Sequence, residues 1–392
     1  MKKHKSYLIW ALIFILIPIT LLTTANELML GRSGEYLSGK EISLRQADKK
    51  SFNIYGSAVS DKALELKLES YQRIQPDIVS IGSSRTLQFR QKFFKKPFYN
   101  MGLTAGSVGE LRDITNTIVK LHKPQIMIIG ADFWWFHPEK ENLSTSKKEE
   151  RFTAPYKDLA ARIENLTLPF QWIQEGSINL VDYTDLLFST PEENIGVRGK
   201  LRSAGIAPDG SYYYTDRVIG EHSNKNEQFH ETKERIEQGK DQFIYGSKAS
   251  TLLIDDFNRI TKSLQDQGIE VFVFFPPVAP KILSELHQRN YQYIKEIEDI
   301  FRERNIAHFN FLDPAQIGPA SDCEFIDGFH GGDVLYGRII LKMAHSSPVL
   351  SKITDKGYLQ EVDGKYKGYA MIPEPRVTSR AEVDFLKLGC RK

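Results

Sequence analysis

The composition lacks several features, and each absence excludes a class of binding site or partner. Only two cysteines occur, Cys323 and Cys390, with no CxxC motif and no cluster of histidine and cysteine, so a structural zinc site is not expected. A strong excess of one charge is also missing, because 52 basic residues stand against 50 acidic ones, a formal net charge of +2. Since nucleic acid is normally bound by a basic surface, no nucleic-acid partner is expected either.

Long uncharged runs are scarce too, and the one that stands out lies at the N-terminus. Lys2, Lys3 and Lys5 precede the uncharged residues 6–26, which are enough to cross a bilayer core of about 30 Å as a helix. A cleaved signal peptide is the alternative, but the Thr-Thr-Ala of residues 23–25 matches a cleavage site poorly. The pattern therefore favours an uncleaved single-pass membrane anchor.

The flanking lysines predict the direction of that anchor. Positively charged residues tend to stay on the cytoplasmic side, so everything after Glu27 is expected outside the cytoplasm, in a periplasmic or equivalent compartment. In such a compartment Cys323 and Cys390 either form a disulfide, which would hold the C-terminal tail near residues 327–330, or stay unpaired.

Strand-like and helix-like patterns alternate between residues 76 and 345, which predicts an α/β fold. The strands are expected as short apolar runs at 78–81, 98–102, 126–129, 271–275 and 308–311. The helices are expected at 61–75, 107–122 (with Ser107 and Glu110 as a capping box), 247–267, 280–304 and 334–343 (with Asp333 as cap). This alternation is typical of a parallel sheet with helices on both faces.

The same pattern divides the chain into regions. We expect the following: an anchor at 1–26, a connector with one helix at 27–75, the α/β domain at 76–345 and a tail at 346–392. Within the domain, residues 140–245 lose the alternation of strands and helices, and we interpret them as an insertion that forms a lid over the site.

Two separated motifs predict the chemistry. Gly82-Ser83-Ser84 follows the first strand, and a serine on a tight turn at the carboxyl end of a parallel strand lies where α/β sheets place reactive groups. Asp327-Gly328-Phe329-His330 comes just before the last helix. A nucleophilic serine needs a base, and the base needs an orienting carboxylate. The two motifs are expected at one edge of the sheet, where they would supply all three groups.

These motifs together resemble those of the SGNH/GDSL-type hydrolases, in the membrane-anchored branch that includes the teichoic acid D-alanine transfer protein and the alginate O-acetylation proteins. The resemblance covers about residues 76–345 and implies a three-layer, flavodoxin-like fold. It implies that Ser84 is the nucleophile, that His330 is the base and that Asp327 orients His330. No cofactor and no metal are implied.

The middle motifs of that family are matched less closely. Residues 100–106 resemble the block whose glycine amide helps form the oxyanion hole, but the spacing differs by one, which leaves Ala105 or Gly106 in that place beside Gly82. Asp132 stands where the family has asparagine, and an ionised carboxylate cannot donate a hydrogen bond to an oxyanion. Arg85 is interpreted in two ways, as steering an anionic polymer or as pairing with a surface carboxylate.

The residues around the motifs leave one structural question open. The aromatic block Phe133-Trp134-Trp135-Phe136 is interpreted first as core packing and second as a wall of the substrate site.

The function that the resemblance implies is a serine esterase or O-acyltransferase outside the cytoplasm, acting on acyl esters, with acetyl favoured, of a cell-surface polysaccharide. A multi-spanning membrane O-acyltransferase is the expected partner. The alternative is a catalytically weakened protein that binds the polysaccharide or acts as a scaffold for such a partner.

Overall fold

A computed structural model describes residues 2–48, 52–59, 61–144, 159–190, 194–220 and 226–392. Its strands are β1 (Ile78–Gly82), β2 (Phe98–Gly102), β3 (Ile126–Gly130), β4 (Ala204–Ile206), β5 (Tyr212–Tyr214), β6 (Glu270–Phe275) and β7 (Phe309–Asn310). Five of them form a parallel sheet in the order β2-β1-β3-β6-β7, while β4 and β5 form a separate antiparallel pair. The expected α/β class with a parallel sheet is confirmed.

Helices flank this sheet and continue into both ends of the chain. They are α1 (Lys2–Ser33), α2 (Gly39–Gln46), α3 (Ala63–Ile74), α4 (Val108–Leu121), α5 (Leu159–Gln174), α6 (Leu180–Leu187), α7 (Val197–Arg202), α8 (Thr215–Val218), α9 (His230–Gln238), α10 (Thr251–Asp266), α11 (Pro280–His287), α12 (Gln292–Glu303), α13 (Asp333–Ser346), α14 (Pro348–Ile353) and α15 (Lys356–Tyr366).

The strand order explains where a site can form. The chain passes from β1 to β2 on one side and then returns to place β3 on the other side of β1. Loops leaving neighbouring strands in opposite directions open a crevice at the carboxyl ends of those strands. Gly82, at the end of β1, lies at this position. Every residue of β1, β2 and β3 is buried, as expected for a sheet covered on both faces.

Two details of the predicted helices are wrong. The single helix expected at 280–304 is interrupted between α11 and α12, where the buried Tyr291 hydroxyl lies within hydrogen-bond distance of the carbonyls of Ile236 and Phe243. Asp333 does not cap α13 from outside but is its first residue. Its carboxylate instead pairs with Arg90 at 3.1 Å and accepts the amide of Ile372 at 2.7 Å.

The tail, which shows no periodicity in sequence, contains α14 and α15 and then a segment without regular structure. Of the two alternatives for the cysteines, pairing is observed: Cys323 and Cys390 form a disulfide that links the tail to the segment just before Asp327. Nearby, the buried Lys392 amino group donates to the carbonyls of Cys323 and Gly368. The end of the chain is therefore fastened to the domain.

The described parts of residues 140–245 do not form one continuous cover. α5 and α6 contact α1, whereas β5, α8 and α9 lie near the predicted site. Residues 145–158, 191–193 and 221–225 of the expected lid lie outside the described residues. A lid over the site remains a prediction.

The helix α1 is long and apolar enough, over Ile13–Ser33, to cross a membrane. Most of its described apolar side chains from Trp10 to Leu22 are exposed. One face of its last turns is covered by protein, since Met29 and Leu30 are fully buried against Leu186 and Val197. The chain therefore has an apolar helix that projects from the domain.

Candidate active site

The turn after β1 gives its two serines different surroundings. A side chain at Gly82 would bring a Cβ to 2.9 Å from the carbonyl of Gly130 and 2.6 Å from Thr86, so only glycine fits there. Ser83 caps the short 3-10 helix 84–86, and its hydroxyl accepts the amide of Arg85 at 3.2 Å. Ser84 is the first residue of that helix and is half-buried. One hydroxyl is therefore used within the turn and the other faces the crevice.

Ser84, His330 and Asp327 form a continuous hydrogen-bonded chain. The Ser84 Oγ lies 2.8 Å from His330 Nε2. The other ring nitrogen, Nδ1, lies 2.7 Å from Asp327 Oδ2 and 2.9 Å from Oδ1. Ser84 and His330 are 246 positions apart in the sequence, and the structure brings them together with Asp327. The arrangement is that of a nucleophile, a base and an orienting carboxylate.

The loop that carries Asp327 and His330 is held from several sides. Asp327 Oδ1 accepts the amides of His330 at 2.9 Å and Phe329 at 3.2 Å, and its carbonyl accepts the Thr232 hydroxyl at 2.6 Å. Gly328 has a φ of +87°, which favours glycine, and a Cβ there would press on the rings and chains of Phe229 and Ile282. The loop geometry therefore depends on α9 and α11 as well as on its own residues.

The electrostatics favour an ionised Asp327. Burial alone would raise its pKa, but the charge and hydrogen bonds of His330 outweigh burial and hold the pKa of Asp327 well below its usual range. An ionised carboxylate accepts a hydrogen bond from Nδ1–H. In the neutral imidazole of His330 this leaves Nε2 without a proton and facing the hydroxyl of Ser84.

Arg85 lies behind the site and not at the surface. Its guanidinium is 1% exposed and contacts Asp132 at 3.0 Å. The remaining donors reach the carbonyls of Phe329, Pro276 and Pro277. The pairing with a carboxylate is therefore observed, although that carboxylate is buried. Because its donors are used inside the protein, Arg85 does not face a polymer in this structure.

Asp132 is the partner of Arg85 and is equally buried. Burial raises the pKa of Asp132, and the charge of Arg85 opposes that rise. Its Oδ1 takes the guanidinium, and the side chain of Ser83 also lowers the pKa of Asp132. The position that holds asparagine in the resembled family is thus part of a buried ion pair.

The amides of Ala105 and Gly106 are both engaged within the protein. Ala105 donates to the carbonyl of Gly82 at 3.2 Å, and Gly106 donates to the Glu110 carboxylate at 2.7 Å. Glu110 thus binds Gly106 and not the amide of the Ser107 cap, so the expected capping box is only half formed. For either amide to stabilise an oxyanion, its present hydrogen bond would have to open.

The aromatic block forms the floor behind Arg85. Its four residues are buried, and the Arg85 guanidinium lies 5.6 Å from the centre of the Trp134 ring. Trp134 also contacts Phe329, the neighbour of His330, at a ring separation of 5.8 Å. The burial supports the interpretation as core packing over the interpretation as a substrate wall.

Two residues beside the triad were not anticipated from the sequence. Arg217 Nη1 lies 3.8 Å from Asp327 Oδ2, and its side chain is 45% exposed. Its guanidinium is 5.7 Å from the Tyr214 ring, which is itself 6.2 Å from the ring of His330. Both belong to the inserted region, and the run of three tyrosines at 212–214 was the only signal there. The open side of the triad thus carries a cation and an aromatic face.

Two further features bear on ligands. Within the described ranges, no group of three or more histidine, cysteine, aspartate or glutamate side chains is placed to hold a metal ion. A cavity of about 680 Å³ lies on the far side of Arg85, between α11, α12 and β7, and its lining does not include the triad.

No protein-family model matches the chain, and no significant similarity was found to a curated protein or to a solved structure.

Proposed function

We propose that the chain is a membrane-anchored serine esterase or O-acyltransferase that acts outside the cytoplasm on acyl esters, in the first place acetyl esters, of a cell-surface polysaccharide. The observation that supports the chemistry is the hydrogen-bonded chain from Ser84 Oγ through His330 to Asp327, with contacts of 2.8 Å and 2.7 Å. No cofactor is needed for this chemistry.

The reaction follows from the roles of these groups. His330 Nε2 removes the proton of Ser84 as Oγ attacks the carbonyl carbon of the ester, and the same proton then passes to the departing alcohol. The acyl group remains on Ser84. Water, activated by His330, releases it as an acid in an esterase, whereas a sugar hydroxyl accepts it in a transferase.

The backbone amides that could stabilise an oxyanion are less completely arranged than the triad. An oxyanion-hole donor typically contributes about 3 kcal/mol. The amide of Ser84, at the start of the 3-10 helix, is a candidate donor, while those of Ala105 and Gly106 would have to leave their present acceptors. We therefore expect slow turnover of small esters unless substrate binding rearranges residues 103–106.

The proposed compartment and substrate follow from the two ends of the chain. An N-terminal apolar helix with flanking lysines favours an outward-facing domain, and a disulfide is typical of oxidising compartments. Finished surface polymers are found there. The resemblance to surface-polymer acylation proteins points the same way, with a multi-spanning O-acyltransferase as the partner that supplies the acyl group.

The first test compares three alanine variants of the full-length protein on a small acetyl ester. Ser84→Ala and His330→Ala should each abolish turnover, whereas Ser83→Ala should retain most of it, because Ser83 caps the turn and does not contact His330. Full activity of the Ser84 variant, or an equal loss in the Ser83 variant, would refute the assignment.

A second candidate function is supported by the Asp132–Arg85 pair and by the engaged amides, which leave the oxyanion site incomplete. In that case the chain binds the polysaccharide or acts as a scaffold for the membrane acyltransferase. Co-purification of such a partner with inactive Ser84→Ala, together with no turnover by the unaltered chain on any acetylated polymer, would favour it.

A further inference from the structure

The N-terminal end of α6 exposes two large apolar side chains. Leu180 is 71% exposed and Val181 is 66% exposed. Scattered apolar residues on a surface need no explanation. These two, however, lie beside the helix that projects from the domain.

Side-chain contacts show that α6 runs in the same direction as α1. The Tyr183 hydroxyl donates to Asn26 Oδ1 at 2.7 Å. Further along, Arg32 donates to the carbonyl of Leu187 at 2.9 Å, and the hydroxyl of Ser189 donates to the carbonyl of Arg32 at 3.2 Å. With a rise of about 1.5 Å per residue, the N-terminal end of α6 lies several ångströms further from the domain along α1 than Tyr183 does.

Near this end of α6, the burial of the side chains of α1 changes. From Asn26 onward one face of the helix is covered by protein, with Met29 and Leu30 fully buried, while Leu28 on another face is 49% exposed. Before Asn26 the apolar side chains are open, with Leu21 65% and Leu22 50% exposed. The end of α6 therefore continues the apolar surface of α1 at the point where that helix leaves the domain.

The backbone at this end of α6 suits an environment poor in water. The Asn179 side chain accepts the amides of Val181 at 2.7 Å and Asp182 at 3.0 Å. In return the Asp182 carboxylate accepts the amide of Asn179 at 2.8 Å. Free amides at a helix end are costly in lipid, and here this capping box binds three of them.

We propose that the N-terminal end of α6 rests in the interface of the same bilayer that α1 crosses, so that Leu180 and Val181 contact lipid and the domain meets the membrane at a second point. The surface formed by Leu180 and Val181 would lie at the boundary between lipid headgroups and acyl chains, where burial stabilises an apolar helix end. This inference depends on α1 as the anchor of the proposed function. Two points of contact would fix the tilt of the domain and hence the distance of Ser84 from the membrane.

The test places a nitroxide label at single positions of the full-length chain, with one copy in each lipid nanodisc. The native cysteines form a disulfide, so an introduced cysteine is the reactive one. The variants are Leu180→Cys, Phe188→Cys and Leu21→Cys. Phe188, the residue that follows α6, is the matched control because it is equally exposed, at 71%, but lies about 12 Å from Leu180 along the helix, away from the membrane.

Collisions with oxygen, which enriches in lipid, are compared with collisions with a water-soluble nickel complex. The oxygen-to-nickel ratio should be several-fold higher at positions 180 and 21 than at position 188. A ratio at 180 equal to that at 188, with 21 in lipid, would overturn the second contact and leave the anchor intact. An aqueous label at 21 would overturn the anchor and this inference together. A label at 180 shielded from both reagents would mean that protein covers it, and would also overturn the inference.

Discussion

Replacing Asp327 by asparagine tests how the base is oriented while changing the shape of the site very little. Asp327 Oδ1 accepts the amides of Phe329 and His330, and an asparagine carbonyl can replace it there. The amide group would then take the place of Oδ2, 2.7 Å from His330 Nδ1. A donor at that place requires Nδ1 to be the acceptor, so the proton moves to Nε2 and faces Ser84.

A protonated Nε2 cannot remove the proton of Ser84, and this sets the size of the effect. The same change in a serine protease lowers kcat by about 10⁴-fold through the wrong tautomer, which corresponds to about 5.4 kcal/mol in the barrier. We expect a loss approaching that size, yet smaller than the loss in Ser84→Ala or His330→Ala, because both catalytic atoms remain in place.

The assay is steady-state hydrolysis of a chromogenic acetyl ester by the full-length protein in detergent. The control is Asp266→Asn, which removes an exposed carboxylate of α10 and should leave kcat/KM unchanged. A loss of less than about tenfold in Asp327→Asn, with the disulfide and the folded state intact, would show that His330 does not act through Asp327 and would refute the triad.

Three further predictions address residues around and outside the triad. The Arg217 cation lies 3.8 Å from Asp327 and helps to hold the pKa of that carboxyl low. Its removal favours the protonated form of Asp327, so Arg217→Ala should move the acidic limb of the kcat/KM–pH profile to higher pH, and Arg217→Lys should largely restore the original limb. An unchanged profile in Arg217→Ala would contradict this role. Replacing Cys323 and Cys390 together by serine opens a loop closed by a disulfide over a sequence separation of 67. The free energy of unfolding, measured by guanidinium titration, should fall by about 4 kcal/mol. Equal midpoints in the variant and in the unaltered chain would contradict this prediction. Burial lowers the pKa of Lys67 to about 7, whereas a lysine in the unfolded chain has a pKa of about 10.4. Between these two values the unfolded chain binds more protons, so the free energy of unfolding should rise from pH 7 towards pH 10 by up to about 1.4 kcal/mol per pH unit. The same slope in Lys67→Met would show that another group is responsible.

The sheet and the position of the site were predictable because they depend on local signals. Buried parallel strands read as short apolar runs, and all five occur close to their expected positions. Gly82 ends the first of them and Gly328 allows the turn between Asp327 and His330. Since parallel strands end at one edge, the first motif had to lie at the carboxyl edge of the sheet, and the second motif reaches it through the loop before α13.

What could not be predicted depends on long-range contacts. Arg85 follows Ser84 directly, but its burial arises from acceptors at 132, 276–277 and 329, which sequence spacing does not connect. Arg217 comes from an inserted region without periodicity. At the interruption between α11 and α12, the hydroxyl of Tyr291 contacts the distant carbonyls of Ile236 and Phe243. Each of these outcomes required knowledge of which distant segments touch.

The most direct measurement of the central claim is the site of covalent labelling by a fluorophosphonate, which reacts only with an activated serine. The full-length protein is treated with the probe, digested, and the modified peptide is sequenced by mass spectrometry. We predict a single adduct on Ser84 that is lost in His330→Ala and retained in Ser83→Ala. No adduct on the folded protein, or an adduct on Ser83, would contradict the proposal that Ser84 is the nucleophile.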